Sequence, residues 1–125
     1  MRILVADDHA LFREGLRFIL KDLSQSIEIV EAETFDEAVR AAETVDGIDV
    51  VLLDLSMPGM SGLSTVREMK SRFPDLRLVV LSASEERADV RQALRFGAKG
   101  YIPKSSSRDV MVSALRLVLS GGTYL

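Results

Sequence analysis

The sequence contains no cysteine, and this absence excludes several kinds of site. Disulfide frameworks, cysteine-based zinc sites and thiol chemistry are ruled out, and the cysteine usage gives no argument for secretion. The apolar runs are only about four or five residues long, far below the roughly 20 residues that a membrane-spanning helix needs. The first residues lead directly into an apolar run, without the pattern of a signal peptide. We therefore expect a cytoplasmic protein that does not enter a membrane.

The charge balance shows no excess of basic residues. The 125 residues include 16 Lys and Arg against 19 Asp and Glu, which gives a net charge of −3 at pH 7. Binding of nucleic acid by the chain as a whole is therefore not indicated. The length fits one domain with a proper core. No glycine-rich fingerprint follows the first apolar run, which argues against a dinucleotide-binding domain.

Short apolar runs alternate with amphipathic stretches along the chain. The runs lie near residues 2–6, 27–30, 49–53, 77–82 and 100–102. Because these runs are apolar on both faces, they are typical of parallel strands that are covered by helices on each side. The stretches between them repeat apolar residues at i, i+3 and i+4, which predicts helices. The order predicts a doubly wound (βα)5 fold of the α/β class with right-handed crossovers.

Local signals mark the ends of several of these helices. Thr34 and Glu37 have the spacing of a capping box before the second helix. Pro74 follows the third helical stretch, and Gly97 and Gly121 stand where the fourth and fifth helices should end. The capping and helix-ending residues of the sequence therefore agree with the alternation of strands and helices.

Polar residues follow four of the five predicted strands. Asp7 and Asp8 come directly after the first strand and Asp54 closes the third. Ser82 closes the fourth strand, and Lys104 follows the fifth. Ligands of open α/β sheets bind beyond the carboxyl ends of the strands. We therefore expect these side chains to form one site at that edge.

Three carboxylates that lie close together repel one another unless a cation joins them. Mg²⁺ prefers oxygen ligands and is often held by one or two carboxylates together with waters and a phosphate oxygen. We predict that Asp8 and Asp54 bind Mg²⁺ (or Mn²⁺) directly and that Asp7 acts through a water. The backbone carbonyl of Ser56 is predicted as a further ligand.

A carboxylate can also act as a nucleophile toward phosphorus. The transition state of phosphoryl transfer is stabilised mainly by positioning and by positive charge. Asp54 is the predicted nucleophile, Lys104 supplies charge to the phosphoryl oxygens, and Ser82 donates a hydrogen bond. His9, beside the acid pair, is interpreted as a first-turn residue and not as a catalytic histidine.

Each of these residues has a simpler explanation when it is taken alone. Acids after a strand are commonly turn or cap residues, and Tyr101 reads as a core aromatic. Asp54 is harder to explain in this way, because a buried carboxylate without a partner is costly. The simpler explanations also leave open why all the polar residues share one edge.

Four segments resemble the motifs of receiver domains of two-component response regulators. They are the acidic pair in residues 5–9 (VADDH), the phosphoacceptor loop in 54–62 (DLSMPGMSG), the hydroxyl position in 81–83 (LSA), and the switch aromatic with its lysine in 100–104 (GYIPK). One departure is that proline precedes Lys104, whereas in many members it follows the lysine. Residues 8–16 (DHALFREGL) and 120–125 (SGGTYL) further resemble the LuxR/NarL class of transcription regulators.

The resemblance implies a flavodoxin-like sheet of order 2-1-3-4-5. It implies that Asp54 accepts a phosphoryl group from a sensor histidine kinase in a reaction that requires Mg²⁺. It implies that Ser82 and Tyr101 move together on phosphorylation and repack the surface of the fourth helix, fifth strand and fifth helix. Such a domain is a signalling module, not an enzyme, and assists only its own phosphorylation and dephosphorylation.

The resemblance also divides the chain. It implies a receiver domain over residues 1–121 and the start of a linker or a C-terminal tail over 122–125. No DNA-binding domain is expected within the chain. DNA would therefore be reached only through an output domain outside it, and a receiver half of a longer regulator is favoured over a stand-alone receiver.

Two other functions remain as alternatives. A haloacid-dehalogenase-like phosphotransferase also forms an aspartyl phosphate, but that family has a second aspartate where Ser56 stands. A pseudo-receiver would keep the fold without phosphorylation, and the intact set of acids, Ser82 and Lys104 argues against it. The receiver interpretation accounts for all of these residues.

The fifth predicted helix carries an aliphatic pair that we expect to be exposed. The residues predicted to face the sheet are Val110, Met111, Ala114 and Val118. This would leave Val112 and Leu119 pointing away from it. A homodimer is therefore predicted, either through Val112 and Leu119 or through the face of the fourth helix, fifth strand and fifth helix.

Overall fold

The computed structural model describes residues 1–57, 62–83 and 87–124. Strands and helices alternate through these residues. Their bounds are β1 Arg2–Ala6, α1 Ala10–Leu20, β2 Glu28–Ala32, α2 Phe35–Thr44, β3 Val50–Asp54, α3 Ser64–Arg72, β4 Leu78–Ser82, α4 Arg87–Arg95, β5 Gly100–Pro103 and α5 Arg108–Leu119. Residues 58–61 of the predicted phosphoacceptor loop lie outside the described residues.

The five strands form one parallel sheet of order β2-β1-β3-β4-β5. The predicted (βα)5 fold and strand order are therefore confirmed. In the register of the sheet, Asp54 lies opposite Leu81 and Ser82 lies opposite Pro103. The carboxyl ends of β3, β4 and β5 are thus level with one another. This places the polar residues that follow the strands at one edge.

Helices cover both faces of the sheet. Ile3 and Val5 of β1 belong to the cluster under α1 and α5, whereas Leu4 and Ala6 belong to the cluster under α2, α3 and α4. Successive side chains of a strand point to opposite faces, so a strand that is covered on both sides must be apolar throughout. This explains the uninterrupted apolar runs of the sequence.

The helix signals of the sequence are found in place. The side chain of Thr34 accepts a hydrogen bond from the backbone N–H of Glu37 at 3.1 Å. The carboxylate of Glu37 accepts in return from the N–H of Glu33, not from that of Thr34. Gly97 and Gly121 follow α4 and α5 with φ of 106° and 100°. Such positive φ values favour glycine over other residues.

The prediction for the outward face of α5 is wrong. Val112 is only 8% exposed, and Leu119 is half-buried against the cluster under α1 and α5. The exposed aliphatic residues of this helix are Val110 and Leu117, at 39% and 43%. Val110, which was expected to face the sheet, therefore points to solvent.

The position of α1 explains this difference. Leu115 is buried as well, so the buried stripe of α5 is wider on the side of Val112 than the sequence pattern indicated. That side faces the turn after α1, where Arg116 donates a hydrogen bond to the carbonyl of Asp22 at 2.9 Å and Arg108 pairs with its carboxylate. Val112 is therefore buried within the domain, and Leu119 is only partly accessible for a dimer contact.

The residues after α5 return to the sheet. Tyr124 forms a parallel bridge with Gly100 beside β5. Its carbonyl accepts a hydrogen bond from the N–H of Tyr101 at 3.2 Å, and its N–H donates to the carbonyl of Lys99 at 2.9 Å. The segment therefore lies along the free side of β5, against the strand that carries Tyr101.

Two further features concern the backbone. No peptide bond is cis within the described ranges, so the Lys104–Ser105 bond is trans. Among the helices that the structure describes, none has the length and apolar character to cross a bilayer.

Charged side chains join α1 to the edge strand β2. Glu31 of β2 lies 3.1 Å from Arg13 and 2.7 Å from Arg17, and Arg13 also contacts Glu33 at 2.9 Å. The hydrogen bond from Arg17 is the main reason that the pKa of Glu31 lies below its ordinary value of 4.5. Partial burial opposes this shift, while the charge of Arg17 and the contacts with Arg13 add to it.

Replacing Glu31 by Gln should lower the free energy of unfolding by about 0.5–1 kcal/mol at pH 7, because solvent screens this partly exposed network. The folded-state pKa is depressed, so the contribution is present above pH 4.5 and is lost as the pH falls through that pKa. Urea unfolding at pH 7 and in acid measures both values. An equal effect of Glu31→Gln at the two pH values would contradict this assignment.

Candidate functional site

Two of the three predicted acids are buried at the carboxyl edge of the sheet. Asp7, directly after β1, is 0% exposed, and Asp54, at the end of β3, is 1% exposed. The N–H of Asp7 donates to the carbonyl of Ala32, and its Oδ1 accepts from the N–H of His9 at 2.7 Å. Asp8 is exposed. The sheet therefore holds Asp7 and Asp54 in fixed positions while Asp8 borders the solvent.

Lys104 joins the two buried carboxylates. Its Nζ lies 2.9 Å from Oδ2 of Asp7 and 3.1 Å from Oδ2 of Asp54. The backbone N–H of Lys104 donates to the carbonyl of Ser82 at 2.8 Å, and Nζ lies 4.8 Å from the ring centre of Phe12. Lys104, which follows β5, thus contacts the residue after β1 and the last residues of β3 and β4.

The protonation of Lys104 reflects this position. Burial alone would lower the pKa of the ammonium group, but the hydrogen bonds and charges of Asp7 and Asp54 outweigh it and raise the pKa above 10.5. The lysine is therefore a cation throughout the physiological range. It is available as a positive charge for whatever binds beside Asp54.

Ser56 holds the carboxylate of Asp54 from the other side. Its backbone N–H donates to Oδ1 at 3.2 Å, and its Oγ lies 3.0 Å from both carboxylate oxygens. The sequence predicted Ser56 only through its carbonyl group. The N–H and hydroxyl contacts add a second role, because they fix the orientation of the carboxylate.

An open cavity of about 380 Å³ lies over this edge. It is lined by His9, Asp54, Leu55, Ser56, Ser82, Ala83 and Lys104. Asp54 is the one predicted acid among these lining residues. A reactant that entered the cavity would therefore meet Asp54, with Lys104 and Ser82 beside it.

The acidic cluster has the composition of a divalent-cation site. Ligand atoms of Asp7, Asp8, His9 and Asp54 all lie within 4.8 Å of one another. Three carboxylates face one lysine, which leaves an excess of two negative charges when all are ionised. Among the described residues, the buried Oδ2 of Asp7 contacts only Nζ of Lys104, at 2.9 Å. A dication fits both the charge and the donors.

His9 contacts the predicted acids, which the sequence analysis did not predict. Its Nδ1 lies 3.3 Å from Oδ1 of Asp7 and 3.3 Å from Oδ1 of Asp8. It was interpreted as a first-turn residue, and it is indeed the N-cap of α1, but its side chain makes no cap hydrogen bond. The sequence signal was its position directly after two site acids.

Tyr101 and Ser82, the two residues of the predicted switch, are both buried. Tyr101 is 1% exposed and packs in the cluster that covers the α4 side of the sheet, together with Ala93 and Ala98. Ser82 is nearly buried and lines the cavity. The aromatic ring is therefore inside the domain in this structure, beneath α4.

The similarity to known proteins extends over nearly the whole chain. Residues 3–116 match the response regulator receiver domain. The chain belongs to this family. It is 39% identical over 124 residues to the glycerol metabolism activator of Pseudomonas putida, which covers 99% of this chain and 56% of that protein. The predicted family resemblance is therefore confirmed. Receiver domains are signalling domains.

Solved structures support the narrower class. A LuxR-family two-component response regulator from Aurantimonas sp. SI85-9A1 has a TM-score of 0.87 and 30% identity, covering 99% of this chain and 88% of that one. The signal receiver domain of the response regulator NarL from Mycobacterium tuberculosis has a TM-score of 0.78 and 39% identity, covering 96% of each chain. This receiver is of the LuxR/NarL type. The chain spans about half the length of the curated relatives it matches.

Replacing Lys104 by Met should lower the free energy of unfolding by about 1–3 kcal/mol at pH 7 without divalent cations, because two buried carboxylates lose their counter-charge. The folded-state pKa of Lys104 is raised, so its contribution is complete below pH 10.5 and is lost as the pH rises through that pKa. Added Mg²⁺ should recover part of the loss.

Urea unfolding in a chelator and in Mg²⁺ measures these effects. Lys99→Met is the matched control, because Lys99 is exposed and lies away from the acids. If Lys104→Met behaved like Lys99→Met in both buffers, the ionic contacts of Lys104 would contribute nothing to stability.

Proposed function

We propose that Asp54 is the phosphoryl acceptor of this receiver and that a sensor histidine kinase is its donor. The carrying observation is that Asp54 alone among the three acids lines the cavity, with Lys104 3.1 Å away. Asp7 and Asp8 are not among the residues that line this cavity.

The transfer itself needs little acid–base chemistry. A carboxylate oxygen of Asp54 attacks the phosphorus of a phosphohistidine, the P–N bond breaks, and its electron pair stays on the departing imidazole. Ser56 restrains the carboxylate through its N–H and hydroxyl. The product is an aspartyl phosphate on Asp54.

Lys104 and Ser82 serve the transferred group. The ammonium group already contacts Oδ2 of Asp54, so it is placed to neutralise charge on a phosphoryl oxygen. Ser82 lines the same cavity and carries a hydroxyl donor. Ala83 leaves space at the cavity mouth because its side chain is a single methyl group.

Mg²⁺ is the proposed resident cation. Asp8 and Asp54 would bind the ion directly and Asp7 through a water, and the carbonyl of Ser56 is proposed as a further ligand. When bound, the ion supplies positive charge to the phosphoryl oxygens during transfer. The excess of negative charge at the sheet edge supports this assignment.

We further propose that the domain is not an enzyme and assists only its own phosphorylation and dephosphorylation. A phosphatase of the dehalogenase type needs an acid two residues after its nucleophile, and Ser56 is there instead. The hydroxyl of Ser56 lies 3.0 Å from both carboxylate oxygens of Asp54. Hydrolysis would therefore proceed by water attack without a dedicated general acid.

Incubation with acetyl phosphate and Mg²⁺ should add one phosphoryl group to the protein, as measured by intact mass. The adduct should be lost in Asp54→Ala, because the nucleophile is absent, and strongly reduced in a chelator. Asp36→Ala is the matched control, because Asp36 is an exposed aspartate in the first turn of α2. Phosphorylation of Asp54→Ala would refute the assignment, and a folded protein without any adduct would favour a pseudo-receiver.

The conformational effect of phosphorylation is proposed to be transmitted from the site through β5. Lys104 follows this strand, Tyr101 lies within it, and Tyr124 is hydrogen-bonded along it. A movement of Ser82 toward the phosphoryl group would open space near Tyr101, and the ring would repack under α4. The α4–β5–α5 face and the segment 122–124 would change together.

This face is also the proposed homodimer surface. Because Val112 is buried and Leu119 is half-buried, we place the contact on the exposed aliphatic residues of α5, Val110 and Leu117. The output of the dimer would pass to a DNA-binding domain outside this chain. The receiver is proposed to span residues 1–121, with 122–125 leading toward that domain.

The double variant Val110→Asp, Leu117→Asp should shift the phosphorylated protein toward monomer by about tenfold or more in dissociation constant, because two charges would be buried at the contact. Sedimentation equilibrium with acetyl phosphate and Mg²⁺ measures this. Leu11→Asp, Phe18→Asp on α1, at 83% and 68% exposure, is the comparison. An effect of the α1 pair alone would move the contact to α1.

A further inference from the structure

The single histidine of the chain lies at the metal site. Nδ1 of His9 is 3.3 Å from Oδ1 of Asp7 and 3.3 Å from Oδ1 of Asp8. Neighbouring ligand atoms on one octahedral ion, each roughly 2.1 Å from it, are about 3 Å apart. The imidazole nitrogen is thus spaced from two carboxylates as a fellow ligand would be.

The position of the ring is not explained by helix capping. His9 is the N-cap of α1, yet its side chain makes no cap hydrogen bond. Its Nδ1 is instead 3.4 Å from Nζ of Lys104, and the imidazole lines the cavity beside Asp54. A nitrogen that contacts the lysine and two acids faces the place where a cation would lie.

We propose that His9 is a further donor of the metal site, through Nδ1, and that it raises the affinity of the site for transition-metal dications more than its affinity for Mg²⁺. Mg²⁺ is a hard ion that takes oxygen ligands, whereas ions such as Co²⁺, Ni²⁺ and Zn²⁺ bind imidazole readily. The inference rests on the proposed function, because it assumes that the acids hold a metal ion.

The consequence concerns which ion the domain carries. Three carboxylates alone would favour a hard ion at this site through charge and oxygen donors. An added imidazole contributes little to Mg²⁺ and much to a transition metal. The site would therefore load a transition metal at a lower free concentration than a site without His9.

Titration with Co²⁺ and with Mg²⁺, in the absence of a histidine tag, tests the proposal. Calorimetry should show that His9→Ala weakens Co²⁺ binding by on the order of tenfold and changes Mg²⁺ binding by less than about twofold. His9 is 61% exposed at its side chain, so its removal should not disturb the core. Thermal unfolding of both proteins checks this.

Proton NMR of the Co²⁺ complex gives a readout that needs no variant. A metal-bound imidazole shows strongly shifted ring and N–H signals, and the one histidine of the chain makes their origin unambiguous. These signals should appear in the native protein and vanish in His9→Ala. Asp8→Asn is the control, and it should weaken both Co²⁺ and Mg²⁺.

The outcomes separate the two hypotheses. Equal loss of both metals in Asp8→Asn, with no shifted imidazole signals and no selective effect of His9→Ala, would overturn the role of His9 and leave the metal site intact. Absence of binding of either metal to the native protein would overturn both. Selective loss of Co²⁺ together with loss of the shifted signals would establish His9 as a ligand.

Discussion

The excess of negative charge at the carboxyl edge of the sheet is the constraint on which the rest of the site depends. Asp7 and Asp54 are buried there because the strands that carry them are central and covered on both faces. Burial of two carboxylates beside each other is unfavourable without a cation. Lys104 compensates part of this charge, and the remainder makes the edge a place where a cation and a phosphoryl group can bind.

The same lysine connects the site to the surface of the domain. Its backbone is bonded to Ser82 at the end of β4, and its side chain spans Asp7 and Asp54. A phosphoryl group on Asp54 would compete for the ammonium group and for the hydroxyl of Ser82. Because β5 is an edge strand bordered by Tyr124, an adjustment there meets less resistance than one in the centre of the sheet.

The sequence predicted the fold and most of the site for a physical reason. Parallel strands that are covered on both faces need continuous apolar runs, and residues at their carboxyl ends are brought together by topology alone. Asp7, Asp54, Ser82 and Lys104 could therefore be placed at one edge without coordinates. The segment 58–61 lies outside the described residues, so that part of the phosphoacceptor loop stays a prediction.

Two features were beyond the sequence pattern, and both depend on side-chain direction. The rotation of α5 is decided by what α1 covers, and the apolar pattern of α5 alone allowed either Val112 or Val110 to face outward. The ring of His9 could have capped α1 or turned toward the acids, and the sequence alone does not determine which direction it takes. The periodicity of apolar residues identifies the buried face of a helix, but it does not determine which residues lie at the borders of that face.

The energetics of the site bear on why charged side chains are buried at this edge of the sheet. Replacing the buried acids by apolar residues would relieve repulsion, since buried charges are rarely the most stable solution for a core. Their presence at the edge of an otherwise apolar sheet therefore indicates a binding role. A cation that neutralises Asp7, Asp8 and Asp54 would return the lost stability only when it is bound. The stability of this edge therefore depends on whether a cation is bound there. A phosphoryl group that is transferred to Asp54 would act on side chains whose positions are set by their charges.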